Sequence, residues 1–203
     1  MEWMLTGFVA GVLVSFLGSL PPGILNATIV QLAGQRGMGP AFGFAAACVV
    51  VEVGYSYLAI LLATSLMKLG RYHVAVEIFS TGLLLAAGVY YLRKKEAGLS
   101  NKTLSRPFYL GIGLSLVNVV AIPFWVVYTA LLTGQGWIMV MDGPGIVLYL
   151  GGIAVGTLLA LELFAFSGRY LSRRFSLSGG LVNRAVGGMM VATALFQIVH
   201  LFL

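Results

Sequence analysis

Two glutamates stand where hydrocarbon is expected to surround them. Glu52 lies within Val49-Val50-Val51-Glu52-Val53, and Glu162 within Leu161-Glu162-Leu163. A carboxylate at such depth is costly and by default marks a pathway for a substrate, an ion or a proton. The structural alternative is a protonated carboxyl that joins two helices. Glu162 is seven residues from Arg169, so it can also reach toward a membrane surface or pair with a basic side chain. Both are candidates for proton coupling. Two carboxylates facing one cavity would suit a cationic substrate or a coupling proton.

The second chemical feature is a pair of breaks. Pro21-Pro22-Gly23 interrupts an apolar run from Trp3 to Ala33, and Pro123 interrupts one from Pro107 to Thr133. Proline has no N–H and clashes with the carbonyl four residues earlier, so a break frees backbone polar groups. Inside a bilayer such groups are tolerated only where they face protein or a watery cavity. Broken helices at corresponding places in two halves point to a transporter binding site. Asn26, Gln31 and Asn118 add side-chain acceptors nearby, and the half-helix starts beyond each break offer N–H donors. An amino acid carries a carboxylate for such donors and an ammonium for carboxylates or carbonyls. Pro21, Pro22, Gly23, Asn26, Asn118, Pro123, Trp125 and Tyr55 are therefore the candidate substrate-binding or gating residues. The structural alternative is a mere kink at each proline, with Tyr55, Tyr57, Phe124, Trp125 and Tyr128 serving as aromatic packing.

These residues need elements to position them. The chain has 203 residues, of which 60% are hydrophobic and 9% charged, with a mean hydropathy of +1.00. A soluble domain carries about 25% charged residues. A spanning helix needs roughly 20 apolar residues. Six such segments are expected: Trp3–Ala33, Pro40–Leu66, Val74–Leu92, Pro107–Leu132, Gly145–Ser167 and Leu181–Leu203. The first lacks the basic leader of a secretory signal, so it is expected to be a retained helix.

The net charge of +6 is an orientation signal rather than a nucleic-acid footprint. Ten basic residues, including Arg36, Arg93, Lys94, Lys95 and Arg169, fall in the odd-numbered loops, against Lys68 and Arg71 elsewhere. That bias places odd loops in the cytoplasm and both termini outside it. Cys48 is the single cysteine, which excludes an internal disulfide or a paired-cysteine redox motif. Two separated histidines, His73 and His200, make no metal set. No nucleophile–base pair or paired catalytic carboxylates occur at a plausible spacing, so the chain reads as a non-enzyme without cofactor. Small residues four apart, at Gly7/Gly11, Gly39/Gly43 and Gly152/Gly156, suit close helix packing inside the bundle. A homo-oligomer stays open.

The two halves resemble each other. At a shift of 100, Gly11, Ser15 and Leu32 meet Gly111, Ser115 and Leu132, while Gly18 meets Asn118 and Gly23 meets Pro123. Glu52 pairs with Glu162 at a shift of 110 if a longer loop absorbs the difference. Three helices per half reverse the entry side of the second half, giving a 3+3 inverted repeat. The expected fold is thus an all-α integral membrane protein of six transmembrane helices, with helices 1 and 4 broken at prolines. It forms one membrane domain over 1–203, with repeats at 1–98 and 107–203 and a basic linker at 99–106.

At this point Ser19-Leu20-Pro21-Pro22-Gly23-Ile24-Leu25-Asn26 resembles the proline-glycine motif of the lysine exporter superfamily. Asn118-Val119-Val120-Ala121-Ile122-Pro123-Phe124-Trp125 resembles its asparagine-proline motif, except that Val119, not the proline, directly follows the asparagine. The likeness covers the whole length and is greatest to the amino-acid exporter branch. It implies a multi-pass inner-membrane exporter of amino acids or related solutes, driven by protons. The second-ranked expectation is a small-cation exporter of the same superfamily, and the third a non-transporting membrane assembly subunit.

Overall fold

The computed structural model describes residues 2–20, 23–68, 106–118, 121–134, 136–138 and 143–171, with isolated helical positions between 82 and 93 and between 188 and 195. Six helices make up the described residues, and no strand occurs among them: α1 (Glu2–Ser19), α2 (Ile24–Arg36), α3 (Met38–Lys68), α4 (Pro107–Val117), α5 (Ala121–Gly134) and α6 (Gly143–Leu171). In α3 and α6 the stretches Met38–Thr64 and Gly143–Gly168 are long and apolar enough to cross a membrane. They match the expected second and fifth segments to within a few residues. The third and sixth segments, with the basic linker, lie almost wholly outside the described residues.

The expected first and fourth segments each become a bent pair of helices. α1 and α2 meet at 81°, and α4 and α5 at 68°. Each pair is apolar enough to count as one broken span. Pro21 and Pro22 lie outside the described residues, and Gly23 is the extended residue before α2, with φ −124° and ψ −174°. The second bend is not at Pro123. α4 ends at Val117, Asn118 caps it, and Pro123 is buried in the first turn of α5. A proline there interrupts nothing, because the first N–H groups of a helix have no intrahelical partner. The change of direction falls between Val117 and Ala121 instead.

Two turns rely on glycine. Gly37 alone separates α2 from α3, at φ +90°. Gly136, at φ +72°, closes α5: its N–H donates to the Thr133 carbonyl at 3.0 Å, and Trp137 N–H donates to Leu132 at 2.9 Å. This is the Schellman arrangement, which satisfies carbonyls the helix end would otherwise leave bare.

The helices pack as two parallel couples. Gly11 lies against the backbone of Tyr149 and Ile153, and Ser15 against Ile153 and Thr157, so α1 and α6 run in the same direction. Gly152 and Gly156 bring the α6 backbone onto Phe8, Val12 and Phe16. In the second couple, Gly111 of α4 lies on Phe44 of α3, and Leu116 lies beside Tyr55. By contrast, Gly39 and Gly43 meet no neighbour within 4 Å, so that expected packing pair makes no contact with the described residues.

Two apolar clusters fill the ends of the bundle. One gathers Ala59, Ile60, Ala63, Trp125, Tyr149 and Ile153; the other Ile29, Leu32, Phe44, Cys48, Leu161 and Ala165. Along α3 and α6, Glu52 and Thr157 fall between the clusters. A thin polar level therefore separates two greasy ones.

Candidate functional site

Glu52 occupies this polar level on the face of α3 that meets the second bend. Trp125 Nε1 donates to Glu52 Oε1 at 2.6 Å, across 73 residues of sequence. An indole N–H can only donate, so the carboxyl oxygen is the acceptor whatever the protonation of the group. Trp125 is 1% exposed. Its ring is held edge-on by Tyr149 at 6.2 Å and by Phe124 at 5.1 Å. A rigid donor on α5 thus fixes one oxygen of a carboxyl on α3.

One turn further along α3, the Tyr55 hydroxyl donates to the carbonyl of Leu116 at 2.7 Å. That carbonyl belongs to the last turn of α4. Asn118 bridges the gap through its backbone. Its N–H donates to Ser115 at 3.0 Å, and its carbonyl accepts from Ala121 at 3.2 Å. Four of the residues expected from sequence, Glu52, Tyr55, Asn118 and Trp125, therefore converge on the second bend.

Asn26 serves the first bend. Its amide Nδ2 donates back to the Ser19 carbonyl at 2.9 Å, tying α2 to the end of α1. Asn26 is buried, and Gly23 accepts the Ala27 N–H at 2.9 Å. Glu162 is placed apart from Trp125 and Tyr55, on α6 next to Leu161 of the other apolar cluster. Its Oε1 is buried without a hydrogen-bond partner. Among the described residues, no group of three or more His, Cys, Asp or Glu side chains could hold a metal ion.

Sequence reasoning missed three participants. The Ser15 hydroxyl lies 2.9 Å from the Ile153 carbonyl and 2.6 Å from Thr157 Oγ1, locking α1 to α6. Ser115, its counterpart in the internal alignment, is equally buried and lies beside Cys48, but its Oγ makes no full hydrogen bond to the described residues. The third is Gly18. A Cβ there would stand 2.5 Å from Phe124 Cζ and 3.1 and 3.2 Å from the two Cε atoms, so the ring of Phe124 points its tip at the Gly18 backbone. Ser15 and Gly18 were both visible as repeat positions, but nothing in the sequence revealed what they touch.

Compared with protein-family models, with curated proteins and with solved structures, the chain has no match.

Proposed function

We propose that the chain is a secondary transporter that exports an amino acid or related small solute by proton antiport, through a midplane site between the two bent helix pairs. The observation that carries this reading is the Glu52–Trp125 hydrogen bond. It joins an intramembrane carboxyl to the half-helix just past a bend, at the level where polar groups interrupt the apolar packing. A carboxyl so placed can exchange a proton and feel a change in the bent pair at the same time.

The 3+3 inverted repeat belongs to this reading. It is supported by the two parallel couples and by their matching contacts. Gly11 meets residue 149 and Gly111 meets residue 44; Ser15 meets residue 153 and Ser115 lies beside residue 48. Both partner contacts differ by 105. At that register Glu52 corresponds to Thr157, where the loop-adjusted alignment sets Glu162. Glu162 then acts as a second, asymmetric protonation site. The orientation with both termini outside the cytoplasm rests on the basic loops, and membership of the lysine exporter superfamily rests on the two motif segments.

Efflux from proteoliposomes loaded with a panel of labelled amino acids, with and without an imposed proton gradient, tests the proposal. Gradient-dependent loss of one or a few of them is the expected result. Folded protein that moves none of them would refute amino-acid export.

A further inference from the structure

We infer that Phe124 is the gate of the pathway between the bent pairs, closing it by seating its ring tip on Gly18; the inference rests on the transport reading above. Gly18 lies in the last turn of α1, at the mouth of the first bend, and Phe124 lies in the first turn of α5, just past the second. Their contact is a direct link between the two bends. The ring meets Gly18 end-on, and a methyl group there would force the ring to move. Gly18 is not among the glycines at positive φ, so its backbone does not require glycine. What a side chain there would meet is the Phe124 ring.

Exposure separates this contact from ordinary core packing. Trp125 and Tyr149 are each 1% exposed, whereas Phe124 is only half-buried and Gly18 is accessible. The contact therefore lies at the edge of the cluster and not in its dry centre. A hydrophobic constriction of this kind blocks polar solutes without binding them. Phe124 also leans on Tyr128, with ring centroids 4.5 Å apart, and meets Trp125 edge-on at 87°. Phe124 and Trp125 are neighbours on one turn. A rotation of α5 large enough to lift the ring from Gly18 also draws the indole N–H away from Glu52. The gate and the carboxyl thus share one moving part.

The test uses four proteins in proteoliposomes: wild type, Gly18→Ala, Phe124→Leu and the double variant. Flux is measured per folded protein, with and without the gradient. Gly18→Ala is expected to raise gradient-independent leak and to lower the ratio of driven flux to leak roughly tenfold, the scale of strain when a methyl is forced into filled space. Phe124→Leu, too short to reach Gly18, is expected to leak similarly. The double variant, with a shorter side chain over a methyl, is expected to recover most of the wild-type ratio. A packing-only role predicts less folded protein but an unchanged ratio in each single variant, and that result would overturn the gate. Failure of the double variant to recover would overturn it too. A second readout does not need transport: labelling of Asn118→Cys, in a Cys48→Ala background, by an impermeant maleimide. Adding Gly18→Ala or Phe124→Leu is expected to speed labelling roughly tenfold, and an unchanged rate rejects the gate. If wild type carries no solute, the transport reading fails on its own, while labelling still decides whether Phe124 closes the cleft.

Discussion

The two bends are built from similar sequence and finished differently. At the first, Asn26 of α2 reaches back to Ser19 of α1, so the bend is tied from within its own pair. At the second, the Leu116 carbonyl is satisfied by Tyr55 of α3, a different helix. The serines one turn earlier diverge as well. Ser15 is bound across to Ile153 and Thr157 of α6, while Ser115 lies beside Cys48 without a full hydrogen bond among the described residues. A pair that satisfies itself can hold its shape while its neighbours move. A pair that borrows its partners from α3 must change its hydrogen bonding whenever α3 moves. The contrast makes α1, α2 and α6 the frame, and α3 with α4 and α5 the working side.

The largest expected effect breaks the frame. Gly156→Leu would drive a branched side chain into the Val12 and Phe16 backbone, beyond the ~1–3 kcal/mol of ordinary overpacking. No folded protein should be recovered on size exclusion, whereas Gly113→Leu, with nothing within 4 Å, should fold normally. On the working side, Glu52→Gln should abolish gradient-driven flux and leave thermal stability within ~1 kcal/mol of wild type. Normal flux in that variant would remove Glu52 from the mechanism. Trp125→Phe keeps an aromatic ring but deletes the donor to Glu52. A hydrogen bond contributes ~0.5–1.5 kcal/mol, so driven flux should fall by roughly twofold to tenfold. The smallest effect compares the two serines. Ser15→Ala should cost ~0.6 kcal/mol, the average for such bonds in a membrane bundle. Ser115→Ala should cost less, since Ser115 Oγ lies beside Cys48 but makes no full hydrogen bond to the described residues. Equal losses in thermal unfolding would erase the contrast between the pairs.

Much of this architecture was legible in the sequence because length and apolarity alone dictate a span. Pro40–Leu66 and Gly145–Ser167 became α3 and α6 with small extensions. Glu52 stood out because a carboxylate among valines is costly unless it serves a pathway or joins two helices. The second bend was misplaced for a physical reason: Pro123 reads as a breaker, but in a first turn proline fits. The true signal there was Asn118, whose backbone ends α4. The Glu52–Trp125 bond was beyond reach, since nothing local couples residues 73 apart. Each had been singled out, and only the packing of α5 against α3 brought them together. Glu162 was paired with Glu52 by counting along the chain, which does not reveal that Glu162 lies apart from Trp125 and Tyr55.

The single-residue junction at Gly37 has a mechanical consequence. With one residue between α2 and α3, and that residue at φ +90°, there is no slack to absorb a shift. α2 and α3 form a bell crank pivoted at one end of the bundle. One arm ends at the Asn26 tie, and the other carries Glu52. A small tilt of the short arm becomes a larger sweep of the long one, so a displacement of the first bend would reach the carboxyl without any contact between the two.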